Sequence, residues 1–85
     1  MKEFTYTIKD ALGIHARPAG LLVKCAKMCD SNITITRDDK EVDATRIMSI
    51  MGMAIKQGQV VTVRCTGEDE EKDLKTMQDF FEKNL

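Results

Sequence analysis

The chain has one histidine, and its neighbours are unusual: Gly13-Ile14-His15-Ala16-Arg17-Pro18. An imidazole nitrogen is a competent nucleophile near neutral pH, because much of the ring is unprotonated there. Pro18 has a fixed φ and no N–H, which suits the first turn of a helix and not its interior. Gly13 supplies a flexible backbone just upstream. His15 therefore falls at or next to an N-cap, where unpaired backbone N–H groups and the positive end of the helix dipole attract an anion. Arg17 is a permanent cation beside it. These residues suit a histidine that accepts and hands on a phosphoryl group, although on chemistry alone a lone histidine in a turn is most often a solvated loop residue. A metal site is disfavoured, since there is no second histidine and the three cysteines lie elsewhere.

The elements that must hold His15 follow from periodicity. Phe4, Tyr6 and Ile8 alternate with Thr5 and Thr7, a strand with one buried face that ends at Lys9-Asp10. Past His15, Ala19, Leu22, Val23, Ala26 and Cys29 recur at three- and four-residue spacing, a helix with one core stripe ended by Asp30-Ser31-Asn32. Arg17, Leu21, Lys24 and Lys27 fall on the opposite stripe, which predicts a basic surface running away from His15. Ile33 and Ile35 mark a second strand, Arg37-Asp38-Asp39-Lys40 a turn, and Val42 a short third strand. A helical segment begins at Thr45 or Arg46 and runs to about Ala54. Lys56-Gln57-Gly58 closes it, and Val61, Val63 and Cys65 form a fourth strand. From Asp69 a last helix carries acids in its first turn, Leu74, Met77 and Phe81 on its buried side, and Lys83 near its end.

The order β-α-β-β-α-β-α predicts an α+β fold, four strands in one mainly antiparallel sheet with the helices on one face. Eighty-five residues make a single domain, 1–85, with one modest core. Thirteen basic against fourteen acidic side chains, net charge −1, give no global attraction to nucleic acid or to an anionic membrane. Met1-Lys2-Glu3-Phe4-Thr5-Tyr6 has no apolar leader, and the longest mostly apolar stretch, Ile47 to Ile55, is too short to span a bilayer, so a cytoplasmic location is expected. Cys25, Cys29 and Cys65 are odd in number and lack C-x-x-C spacing, which reads as reduced thiols used as small apolar residues. No cofactor is implied.

Gly13 to Ala19, Gly-Ile-His-Ala-Arg-Pro-Ala, resembles the active-site signature of HPr, the histidine phosphocarrier family of the bacterial phosphoenolpyruvate-dependent sugar phosphotransferase system. The likeness runs through Ile47-Met48 and the spacing to Gly58. It implies an open-faced β-sandwich of three helices on a four-stranded sheet, with the first helix the long one. It also implies a relay in which enzyme I donates a phosphoryl group to His15 at Nδ1 and phospho-His15 passes it to the IIA domain of a sugar permease. Arg17 and the N–H groups of Ala16 and Arg17 would hold the phosphate, while Lys24 and Lys27 would steer an acidic partner. The protein would be a monomeric covalent carrier and not a turnover enzyme. A regulatory HPr-like adaptor, or a small α+β binding module that drifted toward this sequence, are the other classes.

Periodicity does not separate the faces of Arg46 to Ile55, where almost every position is apolar; Ile47, Ile50, Met51 and Ala54 form one possible core stripe. The resemblance implies another division, with Ile47, Met48 and Met51 exposed for docking and Ile50, Met53 and Ile55 in the core. It also exposes a departure. Many family members carry at the position of Arg46 a helix-capping serine, which in low-GC Gram-positive bacteria an ATP-dependent kinase phosphorylates, so here the regulatory serine is missing. Thr45 is then the candidate N-cap, and Ser49 the nearest substitute phosphorylation site.

Overall fold

Alternating apolar and polar residues place one face of each strand in the core, and the computed structural model, which describes residues Met1 to Leu85, shows four of them. They are β1 (Lys2–Thr7), β2 (Asn32–Arg37), β3 (Lys40–Asp43) and β4 (Val60–Thr66), in the spatial order β1-β4-β2-β3 with every pairing antiparallel. The helices are α1 (Ala16–Met28), α2 (Ile47–Gly52) and α3 (Glu70–Asn84). This is the expected β-α-β-β-α-β-α order and the open-faced α+β sandwich. The longest helix is α3, with 15 residues against 13 in α1, contrary to the expectation for the first helix.

The register sets which side chains meet the helices. Ile35 stands opposite Val63 and Ile33 opposite Cys65, and all four are buried. Their other neighbours along the strands point away and make an uncovered polar face: Thr5 pairs with Thr62, Thr62 with Thr36, and Arg64 bridges Glu3 at 3.1 Å and Glu41 at 3.3 Å. Alternation with a period of two thus gives one wet face and one dry face. On the dry side Phe81 of α3 is fully buried, with Phe4 and Tyr6 edge-on to its ring at centroid distances of 5.7 and 5.5 Å. Leu22, Val23 and Ala26 of α1 and Met77 of α3 complete the core, while Cys29 is half-buried at the end of α1.

Two expectations about α2 need correction. The helix stops at Gly52 instead of continuing to Ala54, because Ala54 adopts a left-handed φ of +50° that no helix accommodates. Arg37 closes this end, donating from Nη2 to the Met53 carbonyl at 2.7 Å. At the other end Thr45 is not the N-cap. Its amide and hydroxyl both donate to Asp43 Oδ1, at 2.8 and 2.7 Å, which engages the side chain with the preceding turn and leaves Arg46 at the cap position without a side-chain bond. These same bonds, the backbone one foremost, hold the Asp43 carboxyl below the usual carboxylate range.

Candidate functional site

His15 is the N-cap of α1, with extended backbone (φ −96°, ψ −172°) and a side chain 38% exposed. The loop in front of it is firmly anchored. Gly13 has φ +70°, and a Cβ there would lie 2.2 Å from the Ile55 carbonyl oxygen, so only glycine fits. The same oxygen accepts from the Ile14 amide at 3.0 Å, and the Ile14 side chain is buried. Asp10 Oδ1 accepts from the Leu12 amide at 2.8 Å and its carbonyl from the Gly13 amide at 2.9 Å, which curls the loop before the histidine. The imidazole is thus presented by a fixed backbone.

The end of α1 is open for an anion. Pro18 has no N–H, the Ala19 amide closes the first helical bond onto the His15 carbonyl at 2.9 Å, and the amides of Ala16 and Arg17 donate to nothing in the protein. No acid stands in the first turn, and the side chain of His15 makes no capping bond. Two free donors and an uncompensated dipole therefore point out beside the imidazole. Its Nε2 lies 3.8 Å from Asp10 Oδ1, too long for a hydrogen bond, so the carboxylate stands on the Nε2 side of the ring.

A shallow depression at this point is lined by Asp10, His15, Arg17, Leu21, Lys83 and Asn84, among others. Arg17 is exposed and unpaired, and Lys24 and Lys27 continue an exposed basic stripe along α1. Beside it, Ile47, Met48 and Met51 are 39%, 78% and 39% exposed, whereas Ile50, Met53 and Ile55 are buried. That is the division implied by the family resemblance and not by the stripe through Ile50 and Ala54. A Cβ on Gly20 of α1 would lie 3.9 Å from Ile47 Cδ1, so this apolar patch is continuous with the surface next to His15 and Leu21. Asp10, Lys83 and Asn84 were not legible as site residues. Asp10 reaches His15 through the curl of its own loop, and Lys83 and Asn84 reach it because α3 ends against that loop.

The cysteines are far from thiolate chemistry. Burial pushes the Cys29 thiol up to about 12, with the Asp73 carboxylate adding to it, and Cys65 up to about 11; burial raises Cys25 as well. No group of three or more His, Cys, Asp or Glu side chains is arranged to hold a metal ion, and no helix is long and apolar enough to cross a membrane.

Comparison with known proteins gives a consistent result. The family model described as the PTS HPr component phosphorylation site matches residues 2–83. The phosphocarrier protein HPr of Mycoplasma capricolum subsp. capricolum is 38% identical over 78 residues, which cover 92% of this chain and 88% of that protein. The crystal structure of HPr-C-His from Thermoanaerobacter tengcongensis superposes with a TM-score of 0.91 at 44% identity, covering 96% of this chain and 92% of that one. The Bacillus subtilis catabolite repression protein Crh, crystallised as a swapped dimer, is also similar, with a TM-score of 0.77 at 31% identity over 94% of this chain and 92% of that one.

Proposed function

The chain belongs to the HPr family of phosphotransferase-system phosphocarriers, and we propose that it takes a phosphoryl group from enzyme I onto His15 and passes it to the IIA domain of a sugar permease. The observation that carries this reading is the N-cap position of His15, with the free amides of Ala16 and Arg17 and an unpaired Arg17 beside the ring. In the first step Nδ1 attacks phosphorus as the bond from phosphorus to the donor breaks; Nε2 keeps its proton, and Asp10 stabilises the cationic ring. The Ala16 and Arg17 amides and the guanidinium take up the charge on the equatorial oxygens, which is where positioning and electrostatics serve phosphoryl transfer. The second step reverses these roles. His15 is a covalent way-station, so the protein is a carrier and not an enzyme with turnover of its own.

Docking falls to the neighbouring surface. Ile47, Met48 and Met51 offer exposed apolar contact, and flexible thioethers repack against unlike partners. Lys24 and Lys27 steer an acidic face toward it. The encounter is small and transient and takes place in the cytoplasm, with the carrier as a single copy. Met48→Asp is expected to weaken the encounter with enzyme I at an almost unchanged Tm, since that side chain is solvated already.

Labelled phosphoenolpyruvate with enzyme I tests the relay. Wild-type protein is expected to take up acid-labile, base-stable label, and His15→Ala to take up none while changing stability by no more than about 0.5 kcal/mol. The likeness to Crh carries a second reading, a regulatory adaptor that works by protein binding. An adaptor has no need of the His15 and Arg17 chemistry, and unlabelled wild-type protein in this assay would favour it.

A further inference from the structure

The depression beside His15 is closed by an element from the far end of the chain. α3 ends against the β1–α1 loop, where the Lys9 and Asp10 amides donate to the Leu85 oxygen at 2.6 and 2.8 Å. This contact brings Lys83 and Asn84 to the rim that holds His15 and Arg17. Asn84 is engaged, its Nδ2 donating to the Phe80 carbonyl at 3.0 Å. Lys83 takes part in none of the ion pairs, and neither does Arg17. The rim thus carries two unpaired cations, Arg17 and Lys83, and one acid, Asp10.

We propose that Lys83 is a second phosphate-facing cation of the His15 site, sharing with Arg17 the charge of the phosphoryl group carried on the imidazole. The proposal rests on His15 being the phosphoryl acceptor. A phosphoryl group brings roughly −1.5 to −2 charges near neutral pH; with Asp10 offset by the cationic ring, Arg17 alone does not balance it and Arg17 with Lys83 more nearly does. A lysine in the last turn of α3 also opposes the negative end of that helix dipole. The two roles are separable, because only the first acts on the phosphoryl group.

His15 is loaded without enzyme I by phosphoramidate: the bond from ring nitrogen to phosphorus forms as the reagent's own P–N bond breaks and ammonia leaves. The phosphoryl titration is then followed by 31P NMR in wild type, Lys83→Ala, Lys83→Arg and, as a control on the same helix, Lys75→Ala. Removing a unit charge that faces the phosphoryl group across about 6–10 Å of water is expected to raise its titration midpoint by about 0.3–0.5 unit at low salt. The shift should shrink in 1 M salt, where the Debye length is about 3 Å, and Lys83→Arg and Lys75→Ala should titrate as wild type. An unmoved midpoint in Lys83→Ala, with or without a lowered Tm, leaves Lys83 as helix-dipole compensation and overturns the proposal. An equal shift in Lys75→Ala overturns it too, since the effect is then one of net charge. Failure of enzyme I to label wild-type protein would defeat the relay reading while this chemically loaded titration still decides on Lys83.

Discussion

At the start of α3 stand Asp69, Glu70, Glu71 and Asp73, whereas the first turn of α1 carries no acid. Both are helix N-termini with the same partial positive charge, although at α3 the Glu70 amide already donates to the Gly67 carbonyl at 3.3 Å. At α3 the chain supplies the negative charge itself. It uses the place structurally, since the buried Asp73 carboxylate, 4% exposed, accepts from the Ser31 amide at 2.8 Å and ties α3 to the turn after α1. At α1 the place is left to an outside group, with His15 where a capping Ser, Thr or Asp would otherwise stand. The difference teaches that a helix end becomes a site when the sequence declines to neutralise it, and that this omission is as informative as the histidine.

The contrast is broken most severely at the filled end. Burial raises the Asp73 carboxyl, but donors from Ser31, the Cys29 thiol and the Asp30 amide outweigh it and hold the carboxyl below the usual carboxylate range. Asp73→Asn is expected to cost about 1–3 kcal/mol, the penalty for a buried charged hydrogen bond lost or weakened, measured by urea unfolding at pH 7. The sign of the pH effect follows from the lowered folded-state value. The contribution of Asp73 is fully present above its unfolded value of about 3.9 and is lost as pH falls through the folded one. Wild type should therefore lose stability on acidification below about pH 4, and Asp73→Asn should lose less over the same range. Phosphoryl acceptance at His15 should not change.

A third helix end sharpens the comparison. α2 has Arg46 at its N-cap with no side-chain bond and no acid in its first turn. A guanidinium has no acceptor for an N2 or N3 amide. Arg46→Ser is expected to stabilise the protein by about 1 kcal/mol by supplying a cap oxygen, read as a raised Tm. With HPr kinase and ATP, mass spectrometry should find wild type unmodified, including at Thr45 and Ser49, and Arg46→Ser phosphorylated. Stoichiometric phosphate on Thr45 or Ser49 of wild type would show that the switch has moved instead of being absent.

Much of this was legible in the chain because burial leaves a periodic trace. The alternation of Phe4 and Tyr6, of Ile33 and Ile35, and of Val61 and Val63 marked strands whose inner faces are the ones observed, and Leu22, Val23 and Ala26 marked the inner face of α1. Periodicity fell silent where nearly every side chain is apolar, and the division of Met48 from Ile50 came from resemblance instead. The end of α2 was not legible, since nothing local announces a left-handed Ala54 or the Arg37 guanidinium waiting at Met53. Nor was Thr45, whose hydroxyl had two possible partners and took Asp43. The site divides the same way. His15, Ala16 and Arg17 are neighbours in sequence and could be read together; Asp10 joins them through the curl of its loop, and Lys83 only through the docking of α3 on that loop, which no single stretch records.

The smallest expected effect tests the comparison most directly, by giving α1 what α3 already has. Ala16 is exposed and is the first residue of α1, so a longer side chain there has room. Ala16→Glu places a carboxylate at the positive helix end, which should stabilise the protein by about 0.3–1 kcal/mol at low salt, less at high salt. If the open end exists to receive a phosphoryl group, the same change should slow phosphoryl acceptance on His15, because the new carboxylate repels the incoming anion at the Ala16 and Arg17 amides. Stability and acceptance would then move in opposite directions, and Ala16→Gln, which keeps the bulk without the charge, should do neither. Measured by urea unfolding and by the rate of labelling from enzyme I, an Ala16→Glu protein that is both more stable and undiminished in labelling would show that the vacancy at α1 is incidental. A fall in both would place the fault in helix geometry and not in charge. Only the opposed pair of results fits a helix end kept empty for its ligand at the expense of the fold.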